Sequence, residues 1–195
     1  MPLPPTDLFL WLAAKNELDH RRFQQWVFTP AMLFPATKKW WDDSSARGIP
    51  HEGLDVAAFL TKDGQTEWLL PQTRIPAAYA GTIARIQPDF LGVSCFLRHD
   101  QFQHGNRILY SVYGHLAPLV GLQAGETVVA GEILATLAAT GHKKAALRPH
   151  LHLTLAWVAA TLPAANLGWE TMNDPDAVTL LDPLSLVAGA YSVRY

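Results

Sequence analysis

Residues 150–158 read His-Leu-His-Leu-Thr-Leu-Ala-Trp-Val. An extended strand turns that alternation into two chemically different faces, because successive side chains point to opposite sides of a sheet. Leu151, Leu153, Leu155 and Trp157 form an unbroken apolar stripe that must be buried, while His150, His152 and Thr154 fall on the other face. A chain with this segment has to build a sheet over a core, and that core then holds two imidazoles rigidly on one side. Such a pair suits a metal site. Two half-exposed histidines on an ordinary sheet would read the same way.

The surrounding sequence fits a mainly β domain. Residues 83–86, 93–99, 107–115, 127–129, 133–137 and 151–158 are strand candidates, and His104-Gly105-Asn106 supplies the turn of a hairpin over 93–115. Ala124-Gly125-Glu126-Thr127-Val128 and Ala130-Gly131-Glu132-Ile133-Leu134 look like one turn-strand unit used twice, too few copies for a solenoid. Residues 7–28 read as helical, with Asp7 as N-cap and Leu8, Trp11 and Leu12 on one face. Residues 29–50 hold Pro30, Pro35, Trp40-Trp41, Asp42-Asp43 and Ser44-Ser45 and read as an irregular connection. The tail from Pro163 is expected to be loop-like, broken by Asp174-Pro175 and Asp182-Pro183. The division expected is a helical and irregular extension over 1–50, a β domain over 51–160, and a tail over 161–195 packing on it.

Composition narrows the function classes. In a chain of 195 residues, 49% hydrophobic and 16% charged residues allow a packed core, and a net charge of −2 argues against a nucleic-acid partner. The single cysteine, Cys95, excludes an intrachain disulfide and a thiolate-rich zinc site; it lies in the apolar run 93–97 and reads as a small buried hydrophobe. No stretch is long enough for a membrane-spanning helix. The apolar run Leu8 to Ala14 follows a lead with no Lys or Arg and with Asp7, which is the wrong charge for a signal peptide. Oligomeric state is not readable from the sequence.

Two further segments carry candidate chemistry. In His51-Glu52-Gly53-Leu54-Asp55, the glycine lets a nitrogen and a carboxylate oxygen bend back onto a single cation, and both are ordinary zinc ligands. A surface loop entering a strand is the plainer reading. In Tyr113-Gly114-His115-Leu116, His115 ends a strand on a face shared with Leu109, Ser111 and Tyr113, where it is placed for catalysis or merely solvated.

Taken together and in this order, 51–55, 113–116 and 150–152 resemble the lysostaphin/LytM-type zinc metallopeptidases, which act as peptidoglycan endopeptidases. Ala80-Gly81-Thr82-Ile83, residues 128–132, Ala139-Thr140-Gly141 and Asp182-Pro183-Leu184 are similar to the family's intervening segments, so the resemblance covers about 51–187. It implies a barrel- or sandwich-like "duplicated hybrid motif" core of antiparallel strands. It also implies Zn²⁺ on His51, Asp55 and His152, with the fourth tetrahedral position left to water. Zinc would bring that water's pKa toward about 7, and His115 and His150 would form the unligated pair that moves protons or stabilises the oxyanion. The implied reaction is cleavage of peptide cross-links in peptidoglycan by the zinc-bound water, in the cell envelope, periplasm or extracellular space.

Residues 1–50 and the extra residues between Phe59 and Ile75, including Trp68-Leu69-Leu70-Pro71, depart from the family pattern. Neither is expected to touch the five site residues, though both are placed to reshape the cleft. Trp40 and Trp41 read as groove lining or as a packed cap, and His20, His99, His104 and His142 as structural or solvated. One rival is a non-catalytic wall-binding or amidase-activating module on the same fold. Another is a sugar-transport phosphocarrier of similar β architecture, whose chemistry needs neither Asp55 nor a His-x-His strand.

Overall fold

The computed structural model describes residues 3–42, 45–140, 147–187, 189 and 191–195. Gly141 and His142, together with Asp43 and Ser44, lie outside the described residues. The strands are β1 (Phe23–Phe28), β2 (Leu54–Val56), β3 (Ala58–Thr61), β4 (Thr66–Trp68), β5 (Arg74–Pro76), β6 (Gly81–Pro88) and β7 (Val93–His104). They continue as β8 (Arg107–Pro118), β9 (Thr127–Val128), β10 (Ile133–Leu137), β11 (Leu151–Ala159), β12 (Val178–Leu181) and β13 (Tyr191–Val193). Among the described residues they are accompanied by two short α-helices, α1 (Leu8–Lys15) and α2 (Trp169–Met172), and by short 3-10 turns.

The larger sheet runs β12-β11-β8-β7-β6-β9, with β2 paired to β11 and β10 paired to both β8 and β5. The mainly β, antiparallel reading holds. The 93–115 hairpin is present and longer than expected, as β7 and β8 with the turn near Gly105. Leu151, Leu153, Leu155 and Trp157 enter the main core as the alternation requires, whereas Ala156 and Val158 on the opposite face pack with Phe96, Val112 and Met172. The repeated turn-strand unit has a shared physical basis. Gly125 and Gly131 both adopt positive φ, at 94° and 79°, which glycine reaches at little cost. In each copy the following glutamate accepts a main-chain amide three residues back, Gln123 by Glu126 and Val129 by Glu132.

The N-terminal segment differs from the expected long helix. Helix α1 stops at Lys15, and residues 23–28 form a strand. Glu17 and Arg22 both take positive φ, at 51° and 59°, so the chain turns twice before β1. The aromatic-rich Phe23-Gln24-Gln25-Trp26-Val27-Phe28 then suits a pleated, half-buried surface, and Trp26 packs edge-on against Phe9, Phe23 and Phe59. Asp7 occupies the N-cap position without capping through its side chain; Thr6 Oγ1 accepts the Leu8 amide instead. The tail is also more regular than expected, since β12 pairs with β11 and β13 runs parallel to β1. The second sheet, β13-β1-β3-β4, thus joins both chain ends to the extra residues around Trp68.

Three buried polar side chains cross the main core. His99 Nδ1 donates to the Ala80 carbonyl at 2.8 Å, its Nε2 lies 2.8 Å from Ser111 Oγ, and Ser111 Oγ is 3.0 Å from the Tyr113 hydroxyl. Burial pushes His99 down to about 4 from the ordinary 6.5, against the opposing pull of the Ala80 carbonyl and Asp100. The unfolded chain therefore binds this proton first as pH falls from 6.5 toward 4, and stability is lost over that interval. A shift of this size corresponds to roughly 3 kcal/mol. Denaturant unfolding at pH 7 and pH 4.5 is expected to show the decline, and His99→Gln should flatten the part due to this ring. An unchanged pH dependence in that variant would contradict the assignment.

Candidate metal centre

Register places the central pair. Strand β2 runs antiparallel to β11 with Asp55 directly opposite His152, so their side chains share a face at cross-strand distance. Gly53 explains how His51 reaches the same point, because a Cβ there would sit 2.2 Å from the Leu153 carbonyl oxygen. Only glycine lets the 51–55 segment lie this close to β11. The outcome is a triangle of donor atoms. His51 Nε2 is 3.1 Å from Asp55 Oδ1 and 3.1 Å from His152 Nδ1, and His152 Nδ1 is 2.9 Å from Asp55 Oδ1.

These residues form a buried group able to hold a metal ion, and the donor chemistry fits zinc. His51 Nδ1 lies 3.1 Å from the Leu33 carbonyl, which can only accept, so that nitrogen carries the proton and Nε2 turns a lone pair toward a carboxylate. Lone pairs facing one another at about 3 Å are accommodated by a cation, or by a proton from His152 Nδ1, between them. Tetrahedral zinc with bonds of about 2.0–2.2 Å sets its donors roughly 3.3 Å apart, within a few tenths of an ångström of this triangle. Burial alone would raise the Asp55 carboxyl, but His51 and His150 beside it hold it well below the usual carboxylate range. Burial likewise lowers His152, against the pull of Asp55, so the ring favours its neutral, ligating form.

The outer contacts correct one expectation. Residues 1–50 do touch the site: Leu33 orients His51, Trp40 Nε1 donates to Asp55 Oδ2 at 2.7 Å, and Arg47 Nη2 stands 3.6 Å from the same oxygen. The extra residues join in through Trp68, which stacks on Trp40 with centroids 6.3 Å apart, while Trp40 meets His150 edge-on at 5.1 Å. Trp40 is therefore a packed cap with a hydrogen bond to spare, and Trp41 lines the cleft. Outer hydrogen bonds to ligands typically carry 10–100-fold in metal affinity. Trp40→Phe keeps the ring and loses the donor, so zinc affinity is expected to fall about 10-fold in competition with a chromophoric chelator. An unchanged affinity would reduce Trp40 to a cover.

The two other histidines lie beside the triangle. His115 and His150 have ring centroids 4.7 Å apart, and His115 is 5.9 Å from His152. His150 is buried, donates from Nδ1 to the Arg148 carbonyl at 2.8 Å, and has Nε2 3.8 Å from Asp55 Oδ1. Burial takes it down to about 4, so it is neutral near pH 7.

His115 does not share the core face of Leu109 and Tyr113. Between the pairs Val93↔Leu116 and Cys95↔Tyr113, strand β8 carries one residue more than β7. His115 takes the slack with φ at 66°, the left-handed geometry of a bulge residue, and its ring turns to the cleft while Leu116 enters the core. Asp89 was not among the candidates, yet its Oδ2 accepts the His115 amide at 2.7 Å and its Oδ1 lies 3.3 Å from His115 Nδ1. The available signal was Asp89 three residues before Gly92, an Asx-turn pattern between two strands.

A cleft of about 360 Å³ opens over His115 and His152, lined by Trp41, Phe90 and Trp169 and by the charged Lys39, Arg47 and Glu52. Among the described residues, no helix is long and apolar enough to cross a membrane.

The model of peptidase family M23 matches residues 50–162, more than half of the chain. No curated protein matches it. Among solved structures, the solution structure of lysostaphin is similar at 16% identity, covering 87% of this chain and 56% of its own, with a TM-score of 0.49. A candidate glycyl-glycine endopeptidase LytM from Ruminococcus gnavus ATCC 29149 is similar at 16% identity, with coverage of 73% and 50% and a TM-score of 0.45. The catalytic domain of a mutant prophage-encoded M23 protein, EnpA from Enterococcus faecalis, is similar at 21% identity, with coverage of 72% and 98% and a TM-score of 0.39. The chain spans about half the length of the first two.

Proposed function

Because the chain belongs to peptidase family M23, we propose that it is a zinc metallo-endopeptidase that hydrolyses peptide bonds in peptidoglycan cross-links and works in the cell envelope. The observation that carries this reading is the convergence of His51 Nε2, Asp55 Oδ1 and His152 Nδ1 within hydrogen-bonding distance of one another, with two further imidazoles alongside. His51, Asp55 and His152 would hold the ion. Zinc bound there supplies Lewis acidity, which makes water a nucleophile near neutral pH.

The rest of the chemistry belongs to the chain. His115 lines the cleft and His150 is buried beside it, close enough to share the proton traffic of amide hydrolysis: one takes the proton of the attacking water, and the leaving nitrogen receives one. Trp41 and Trp169 line the cleft and offer flat apolar surface to a peptide, with charged groups of both signs, Lys39, Arg47 and Glu52, beside them. His150 and the ligand trio are buried, and the cleft opens over His115 and His152.

Purified peptidoglycan fragments incubated with zinc-loaded protein, with and without chelator, test the reading by mass analysis. The expected result is chelator-sensitive loss of cross-linked fragments, with one water gained per bond broken. Tight zinc binding without cleavage of any cross-linked peptide would instead make the protein a non-catalytic wall-binding module.

A further inference from the structure

We propose that Asp89 is a positioning residue for His115: its carboxylate holds the bulged main chain and stands beside the Nδ1 edge of the ring, so that Nε2 is the atom offered to the cleft. The inference rests on reading His115 as a proton-transfer group.

The bulge poses a problem that Asp89 solves. Inserting one residue into β8 takes the His115 amide out of the ladder, and left-handed φ is uncommon for any residue other than glycine. Asp89 Oδ2 accepts that amide at 2.7 Å. The same oxygen accepts from Ser94 Oγ at 2.7 Å, and Ser94 Oγ accepts from Trp169 Nε1 at 3.1 Å, which ties the cleft wall to the same carboxylate. Oδ1 accepts the Leu91 and Gly92 amides at 2.8 and 2.7 Å and lies 3.3 Å from His115 Nδ1, a buried nitrogen that makes no aligned hydrogen bond in the resting site. A carboxylate that is 2% exposed is costly to bury, so its oxygens have to be satisfied, and the groups doing so are the turn amides of Leu91 and Gly92, Ser94 Oγ on β7 and the His115 amide.

The two histidines of the pair are therefore held differently. His150 donates to a neutral main-chain carbonyl, whereas His115 has an ionised carboxylate behind Nδ1. A carboxylate in that position favours the tautomer with the proton on Nδ1 and supports the positive ring that forms once Nε2 has accepted a proton. Burial alone would raise Asp89, but its contacts with His115 and the Gly92 amide keep it ionised. An Asx turn by itself would need Oδ1 only. The placement of Oδ2 on the bulge amide is what makes Asp89 specific to His115.

Long-range ¹H–¹⁵N correlation on histidine-labelled native protein reads the tautomer with no variant and no substrate. The expected spectrum shows His115 protonated on Nδ1, and Asp89→Asn shifts it toward Nε2. A native His115 protonated on Nε2 alone overturns the proposal, even if the protein proves not to be a peptidase. In turnover assays Asp89→Asn is expected to lower kcat by ~10²-fold or more, with KM and zinc content nearly unchanged, and to cost nothing further in His115→Ala. An equal loss in the His115→Ala background, or a loss confined to KM, would make Asp89 structural only.

Discussion

His152→Ala is expected to weaken zinc binding by about 10²-fold or more and to bring peptide hydrolysis to background. Four-ligand zinc sites are worth ~10–16 kcal/mol in apparent affinity, so one ligand carries roughly 3 kcal/mol. The local setting favours a large effect. His152 lies between Asp55 on β2 and Gly114 on β8, and its second nitrogen is 3.0 Å from Thr154 Oγ1, so the strand pairing holds this ring at the triangle. The fold should survive, because the side chain removed lies on the face of β11 opposite the Leu151, Leu153 and Leu155 core stripe. Metal competition and circular dichroism on the same sample check both parts. Native zinc affinity in His152→Ala would remove this residue from the ligand set.

His115→Ala is expected to separate metal binding from chemistry. Its ring makes no part of the donor triangle, so zinc content should stay at one per chain and affinity should change little. Turnover should fall by ~10²–10⁴-fold, the usual worth of a positioned proton-transfer group. The loss should appear in kcat more than in KM, because the truncation removes an interaction made as the proton moves. Full activity in this variant would move the proton chemistry to His150 alone. Loss of zinc would mean that His115 supports the metal in a way its distance from the triangle does not suggest.

The two variants differ in what sequence could say about them. His152 and Asp55 were legible because alternation along 150–158 fixes which side chains share a face, and because a glycine between His51 and Asp55 permits a tight bend. The family pattern joined those segments, and the ladder register then put Asp55 opposite His152. His115 was legible as a residue but not as an orientation. Period-two reasoning puts it on the core face with Tyr113, and a one-residue bulge reverses that. A bulge depends on how two strands are paired, which neither strand encodes alone.

Residues 23–28 show the other limit. Their hydrophobic spacing is compatible with either a helix or a strand, and the choice falls to tertiary packing of Trp26 against Phe59 on β3. Once β1 is a strand, the second sheet carries the N-terminal segment over the metal centre. Leu33, Trp40 and Arg47 reach the site for that reason, although nothing in their local sequence marks them.

The most direct test of the account is the position of the metal itself. Crystals of the zinc-loaded protein, measured at the zinc absorption edge, should show one anomalous peak about 2.0–2.2 Å from His51 Nε2, Asp55 Oδ1 and His152 Nδ1, with His115 and His150 unligated. A peak on His115 or His150, or zinc-loaded crystals with no peak at the triangle, would contradict it.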